Sequence, residues 1–335
     1  MSSIRIRERS WRFYRNWLIH FVMWVALLLI ALGAARRLWP LYVYLLLAYP
    51  IYVISASIFY SYRTTHPGGR FSMRRLTPAD AGMAYKKVEF LSRDELSLFG
   101  WYVPGNMKGT IILVHGHGGK GIAMIYHASA LVAKGYSVLM YDQRAHGSSD
   151  GDICTAGWRE VEDLLGAVDY LKTLDDVNPE RIGVLGISMG GLAALLAAAR
   201  EDDIRAVVAE GPSSATLEDH GGRPQSWIRW INYPFNWLFY KMLAFMNGAE
   251  PPDGILTTIR DIAPRPILLI TGGGKKELHF TQLFYEAAAE PKDLWEVPKA
   301  RHAEAYFRDP KAYQKRVVEF FDRAFQSASG LEVRN

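Results

Sequence analysis

Short apolar runs alternate with longer helical patterns between residues 80 and 330, and this alternation constrains the fold more than any other feature. Apolar strands separated by helices of about 10–15 residues predict a mostly parallel sheet that carries helices on both faces. Helical patterns lie near 121–134, 158–173, 189–200, 280–289 and 310–326. The predicted strands, of which the first two form a hairpin, are 87–91, 96–103, 110–114, 136–141, 181–186, 204–209, 266–270 and 294–297. The sequence therefore predicts an α/β fold.

Residues 212–262 interrupt this alternation and are too long for a plain connection between two strands. We interpret them as an inserted cap of one or two helices over the edge of the sheet. Its aromatic side chains either pack on the body or, as a group, line an apolar substrate pocket or touch a bilayer. They are Trp227, Trp230, Tyr233, Phe235, Trp237, Phe239, Tyr240 and Phe245.

The net charge of +5 is unevenly distributed along the chain. Residues 1–75 contain eleven Arg, no Lys and the single acid Glu8, whereas the remainder contains 28 basic and 33 acidic residues. A nucleic-acid-binding body carries a basic face of its own, and a mildly acidic body argues against nucleic acid as a partner. Arginines beside apolar segments instead favour a membrane surface.

Two uncharged apolar segments, 17–35 and 38–62, are separated by Arg36 and Arg37. Each is long enough to cross a hydrocarbon core of about 30 Å as a helix. The alternative for the first segment is a cleaved signal peptide, since 31–35 is rich in small residues. However, the apolar run of a signal is shorter, about 7–15 residues. We therefore expect residues 1–75 to form a retained membrane anchor.

The placement of the arginines predicts the topology of this anchor. A hairpin of two spans with both ends in the cytoplasm satisfies the positive-inside rule, whereas a single span would export the body. The single cysteine, Cys154, excludes a disulfide framework and fits a cytoplasmic body. The flanking arginines are Arg5, Arg7, Arg9, Arg12 and Arg15 before the first span, and Arg63, Arg70, Arg74 and Arg75 after the second.

The sharpest motif is Gly186-Ile187-Ser188-Met189-Gly190, where an apolar strand meets an Ala-rich helix. A sharp strand-to-helix turn leaves no room for side chains beside the serine, which explains the flanking glycines. The turn lifts the Ser188 hydroxyl above the sheet, where the positive end of the helix favours an oxyanion. The alternative is a Gly-rich turn of a nucleotide-binding unit, and no Walker pattern accompanies it.

A second Gly-rich loop, residues 115–119, follows the predicted strand 110–114. Its glycines allow backbone N–H groups to point inward, and we predict an oxyanion hole made by the N–H groups of His117 and Met189. We expect the His115 and His117 imidazoles to make structural hydrogen bonds. A zinc site would need a third ligand that nothing nearby supplies, so no metal or cofactor is predicted.

Together these motifs resemble the α/β-hydrolase superfamily, with the resemblance covering roughly 85–327. Residues 141–149 are similar to the D-x-R-G-x-G-x-S stretch of that superfamily, with Ala145 and His146 replacing the usual residues. The most similar branch is the monoacylglycerol lipase and serine aminopeptidase-like group. The resemblance implies an α/β-hydrolase fold over 76–335, with the cap inserted at 212–262.

The superfamily order of Ser, acid and His implies a catalytic triad of Ser188, an acid and His302, which follows the last predicted strand. The acid departs from the family pattern, because Lys275 stands where an aspartate is usual. We expect Glu277 to be the acid, with Glu210 at the end of strand 204–209 as the alternative.

The resemblance implies a membrane-anchored serine hydrolase that cleaves carboxylic esters through an acyl-enzyme at Ser188. The anchor and the aromatic cap suggest small lipophilic substrates that arrive from the bilayer. Three alternatives remain open: a peptidase or amidase on the same fold, a non-catalytic binding protein, and an anchor whose body is a scaffold for membrane partners.

Overall fold

The computed structural model describes Trp24, Ala26 and residues 39–67, 76–106, 108–221, 227–272 and 274–328. The chain divides into two compact units, Met1–Ala56 and Ser57–Asn335. The predicted first span, 17–35, lies outside the described residues except for Trp24 and Ala26, which are helical.

Helix α1, Trp39–Thr65, contains the predicted second span and continues three residues beyond its expected end. Within its segment Leu41–Thr65, an 18-residue stretch has a mean hydropathy of 1.8, and the length and composition of the segment would allow it to cross a membrane. Among the described residues, one helix is long and apolar enough to cross a membrane. The hairpin of two spans therefore stays a prediction.

The second unit contains an eight-stranded sheet in the order β1-β2-β4-β3-β5-β6-β7-β8. The hairpin strands β1 and β2 pair antiparallel, β2 pairs antiparallel with β4, and all other neighbours are parallel. The strands are β1 Lys86–Leu91, β2 Ser97–Val103, β3 Thr110–Val114, β4 Ser137–Tyr141, β5 Ile182–Ile187, β6 Ile204–Glu210, β7 Ile267–Thr271 and β8 Lys292–Glu296. The predicted hairpin and mostly parallel sheet are confirmed.

Helices cover both faces of this sheet, as the alternation predicted. Adjacent residues of β5 point to opposite faces: Val184 packs with Leu164 and Leu192 on one side, whereas Leu185 packs with Phe321 on the other. Such alternation is what the period of two in a strand requires. The helices are α2 Ile125–Val132, α3 Glu160–Leu171, α4 Met189–Ala198, α5 Trp227–Asn247, α6 Ile255–Thr258, α7 Lys275–Ala287, α8 Ala305–Arg308 and α9 Pro310–Ala328.

The segment between β6 and β7 contains the long helix α5 and the short helix α6. Helix α7 begins earlier than the predicted 280–289 pattern, directly after Gly274, whose φ of +89° suits glycine. This early start brings Glu277 into the first turn of α7, close to the end of β7.

Candidate active site

Ser188 occupies the sharp turn between β5 and α4, with φ 56° and ψ −116°. A positive φ is rare for a residue with a side chain and stores strain that the surroundings must hold. The Ser188 N–H donates to the Glu210 carbonyl at 2.8 Å, and the Ser188 carbonyl accepts from Leu192 N–H at 3.0 Å. A side chain at Gly190 would collide with the Val114 carbonyl, so the turn requires glycine there.

The structure brings Ser188, His302 and Glu277 into one hydrogen-bonded chain. His302 Nε2 lies 2.9 Å from Ser188 Oγ, and His302 Nδ1 lies 2.6 Å from Glu277 Oε2. An ionised carboxylate can only accept, so Nδ1 carries the imidazole proton and Nε2 is free to accept the serine proton. This tautomer is the one that a general base for Ser188 requires.

Glu277 is itself held in place by hydrogen bonds at the end of β7. Its Oε1 accepts from Thr271 Oγ1 at 3.1 Å and from the Gly272 N–H at 3.0 Å. The Glu277 side chain is 11% exposed, whereas the His302 side chain is 52% exposed. The hydrogen bond that His302 donates to Glu277 raises the pKa of His302 above its ordinary value, against the opposing effect of partial burial.

Glu210, the alternative acid, is buried at the end of β6, and its carboxylate forms hydrogen bonds with groups other than His302. Its two carboxylate oxygens accept from the Ala305 N–H and from the Tyr313 hydroxyl, each at 2.9 Å. Burial raises the pKa of Glu210 above its ordinary value, and these two hydrogen bonds only partly oppose that shift. The contact with Ala305 ties β6 to the loop that carries His302.

The loop after β3 packs directly against the serine. A Cβ added at Gly116 would lie 3.3 Å from Ser188 Cβ, so the backbone there approaches the nucleophile closely. Met189 is the first residue of α4, and the first N–H groups of a helix have no partner within it. The His117 imidazole makes a structural contact, as expected: its Nε2 lies 2.8 Å from the Thr64 carbonyl oxygen.

Two further histidines brace this loop, and sequence reasoning assigned no role to His146. His146 Nε2 accepts from the Gly118 N–H at 3.0 Å, while His146 Nδ1 lies 2.7 Å from the Arg144 carbonyl oxygen. His115 Nε2 accepts from the Gln143 N–H at 3.0 Å, and burial lowers the His115 pKa to about 3. The one sequence feature that could have indicated this role is that His146 replaces the usual residue of the family pattern. No metal-binding group of His, Cys, Asp or Glu occurs among the described residues.

A cavity of about 540 Å³ opens at the site. Its wall includes the apolar side chains of Trp158, Leu243 and Phe280 beside His302 and Glu277. Of the cap aromatics, Phe239 and Tyr240 line this cavity, whereas Trp230, Trp237 and Phe245 are exposed. The predicted cap aromatics therefore divide between two environments.

Comparison with known proteins agrees with this fold. Residues 105–264 match the family described as serine aminopeptidase, S33. The Pseudomonas aeruginosa protein PA2218 is 29% identical over 309 residues, which cover 73% of this chain and 82% of the relative. Thiohydrolase apmlB of Arthrinium phaeospermum is 37% identical over 134 residues, covering 38% of this chain and 43% of that protein.

Solved structures of related proteins also have this fold. The Pyrococcus furiosus esterase Pf2001 is 30% identical, with a TM-score of 0.61 and coverage of 74% of this chain and 94% of the esterase. The structure of PA2218 is 27% identical, with a TM-score of 0.57 and coverage of 73% and 94%. The chain thus belongs to the α/β-hydrolase superfamily. Within that superfamily, its matches identify it as a hydrolase.

Proposed function

We propose that this protein is a membrane-anchored serine hydrolase that cleaves carboxylic esters of lipophilic substrates through an acyl-enzyme at Ser188. The observation that carries the proposal is the chain of contacts from Ser188 Oγ through His302 to Glu277, at 2.9 and 2.6 Å. A serine, a base within hydrogen-bond reach and a carboxylate that orients the base form the arrangement that activates a nucleophile.

In the proposed mechanism, Ser188 Oγ attacks the ester carbonyl carbon while His302 Nε2 takes the hydroxyl proton. The negative charge on the carbonyl oxygen is bound by the backbone N–H groups of Met189 and His117. His302 then returns the proton to the departing alkoxide, which leaves as the alcohol. A water molecule attacks the acyl-serine in the same way, releasing the acid and restoring Ser188.

The cavity supports the choice of a lipophilic substrate. Apolar and aromatic side chains form much of its wall, and pockets of this kind bind the apolar part of a ligand while a few polar groups orient the reacting bond. Thr64, in the last turn of α1, also lines the cavity. A cavity with such a wall suits substrates that partition into a bilayer.

The anchor itself forms part of the proposal. We infer that residues 1–75 hold the chain in a membrane and that residues 76–335, including the cap at 212–262, form the hydrolase domain on the cytoplasmic side. The apolar α1 and the arginines on its flanks support this arrangement.

Hydrolysis of a graded ester series tests the proposal. The purified full chain in detergent micelles should release p-nitrophenol from acyl esters, and Ser188→Ala should abolish the release. Thioesters belong in the same series because one relative is named a thiohydrolase, and aminoacyl anilides would reveal a peptidase. A folded wild-type protein that cleaves none of these would overturn the proposal in favour of a binding protein.

A further inference from the structure

The loop between β8 and α8 carries His302 in a strained backbone conformation. Lys299 and Ala303, on either side of His302, have φ angles of 62° and 61°, which are costly for residues with a side chain. The His302 side chain is 52% exposed, so burial does little to hold it in one orientation. A loop of this kind keeps its shape only where neighbouring contacts fix it.

Hydrogen bonds fix this loop at both of its ends. At the first end, the Val297 N–H donates to the Thr271 carbonyl at the end of β7, at 2.8 Å. At the second end, the Ala305 N–H donates to Oε1 of Glu210 at 2.9 Å. Ala305 and Glu210 are each 1% exposed, so water does not compete for this second bond. A buried side chain therefore fixes the loop three residues beyond His302.

The main chain of Glu210 is bonded to the turn that presents the proposed nucleophile. The Glu210 carbonyl accepts from the Ser188 N–H at 2.8 Å. The backbone that follows Glu210 also lies close to the triad, because a Cβ added at Gly211 would lie 3.1 Å from His302 Nδ1 and 3.2 Å from the Glu277 carboxyl carbon. Glu210 thus binds the Ser188 turn through its main chain and the His302 loop through its side chain.

Tyr313 fixes the orientation of the Glu210 carboxylate. The Tyr313 hydroxyl donates to Oε2 at 2.9 Å, and Tyr313 is 2% exposed in helix α9, which packs on the sheet. A buried carboxylate is costly unless its oxygens have hydrogen-bond partners, and here each oxygen has one. An apolar residue at position 210 would leave the buried Ala305 N–H without this acceptor.

We propose that Glu210 is a positioning residue of the active site, which sets the distance between Ser188 and His302 by joining the Ser188 turn to the loop that carries His302. The inference rests on the proposed hydrolase activity and assigns Glu210 no contact with substrate. Glu277 orients the imidazole ring, whereas Glu210 fixes the loop from which that ring projects. A misplacement of about 1 Å between reacting groups can lower a rate about 10²-fold.

Substitutions that remove or keep the acceptor test the inference in the full chain in detergent. Glu210→Met has a similar volume but leaves the Ala305 N–H unpaired, and we expect it to lower kcat for p-nitrophenyl butyrate about 10²-fold with KM little changed. Glu210→Gln keeps an acceptor and should restore kcat to within a few-fold of wild type. Rates are expressed per folded molecule, with the folded fraction measured by circular dichroism.

A milder variant and a stability control accompany these two. Tyr313→Phe removes one hydroxyl, so the Glu210 carboxylate loses one of its two partners, and kcat should fall about fivefold. Leu171→Ala, in the buried last turn of α3, should lower the melting temperature but leave kcat per folded molecule unchanged. A purely structural role of Glu210 would make Glu210→Met behave like Leu171→Ala.

Proton NMR reports the position of His302 without any substrate. The proton between His302 Nδ1 and Glu277 should give a downfield resonance in wild type, Glu210→Gln and Leu171→Ala, identified by its loss in Glu277→Gln. This resonance should shift or broaden in Glu210→Met and, to a smaller extent, in Tyr313→Phe, because the loop is then no longer fixed.

Wild-type kcat and an unchanged resonance in Glu210→Met would overturn the inference, and the same pair of results in Tyr313→Phe would do so if Glu210→Met does not fold. A rise in KM with kcat unchanged would also overturn it, since Glu210 would then act on substrate binding. A wild type that cleaves no ester would contradict the proposed function instead, and the NMR comparison would still test the position of His302.

Discussion

Glu277 Oε2 lies 2.6 Å from Nδ1 of His302, although Glu277 is two residues beyond the position where a Gly-x-x-Asp pattern would place the acid. The helix start explains the displacement. Helix α7 begins at Lys275, immediately after β7 and its glycines, and its first turn directs Glu277 back toward the end of the strand. The longer glutamate side chain, fixed by Thr271 and Gly272, reaches the imidazole from there.

Matched substitutions distinguish Glu277 from Glu210. Glu277→Gln should lower kcat for ester hydrolysis by about 10²–10⁴, because an amide can donate to Nδ1 and stabilise the wrong imidazole tautomer. Glu210→Gln should change kcat only a few-fold, since a glutamine can accept from Ala305 N–H and donate to the Tyr313 hydroxyl. The steady-state rates of the two variants show which glutamate is the acid of the triad. A larger loss in Glu210→Gln than in Glu277→Gln would reverse the assignment.

The pH dependence follows from the pKa of His302, which the hydrogen bond to Glu277 raises. Only the neutral imidazole accepts the serine proton, so kcat/KM should fall as the pH drops below this raised pKa. Removing the hydrogen bond in Glu277→Gln should move the acidic inflection to lower pH. Lys276 lines the same cavity as His302, and a profile for Lys276→Met serves as a control. An unchanged inflection in Glu277→Gln would contradict the pairing.

The same pairing makes a prediction for stability. A histidine with a raised pKa in the folded state contributes stability below its unfolded pKa of about 6.5, and that contribution is lost as the pH rises through the folded pKa. Glu277→Gln should therefore lower the melting temperature more at about pH 6 than at about pH 9. Thermal unfolding of the two proteins in the same detergent, at both pH values, measures the difference. A larger loss at the higher pH would contradict the sign.

The positive φ of Ser188 predicts a difference between two inactive variants. Both Ser188→Ala and Ser188→Gly remove the hydroxyl, but glycine adopts φ 56° without steric cost. Relief of the strain exceeds the added freedom of glycine in the unfolded chain, leaving about 1 kcal/mol in favour of Ser188→Gly. Its melting temperature should be a few degrees higher. A lower melting temperature for Ser188→Gly would show that the turn is not strained.

Cavity size should set the acyl chain preference. Leu243 is buried in the cavity wall, and Leu243→Trp would fill part of the space. The variant should therefore prefer shorter acyl chains than wild type, losing about fourfold in kcat/KM for each methylene that no longer fits. Leu238→Trp, on the same helix and absent from the cavity wall, is the control. Chain-length profiles with p-nitrophenyl esters compare the three proteins, and identical profiles would place the acyl chain elsewhere.

The sequence predicted the sheet because its signals are local. Each strand is a short apolar run, and the turn at Ser188 is encoded by glycines within two residues of it, so neither depends on distant parts of the chain. The family resemblance then gave the order of Ser188 and His302, which the structure brings within 2.9 Å of each other. Their catalytic roles stay proposals.

Features that depend on packing could not be read from the pattern. The identity of the carboxylate beside His302 depends on where α7 begins, and a Gly-rich connection leaves that start undefined. The hydrogen bond between His146 and Gly118 joins two loops that the sequence separates by 28 positions. Which α5 aromatics face the cavity and which face the exterior likewise depends on the rotation of the helix about its axis. Because aromatic residues occur all around this helix, the sequence does not specify that rotation.

Covalent labelling of Ser188 by a fluorophosphonate probe tests the central claim most directly. Wild-type protein should be labelled on the peptide that contains Ser188, as shown by mass spectrometry, and Ser188→Ala should remain unlabelled. His302→Ala should react far more slowly, because the serine then lacks its base. Failure of folded wild type to react, or persistent labelling in Ser188→Ala, would contradict the assignment of Ser188 as an activated nucleophile.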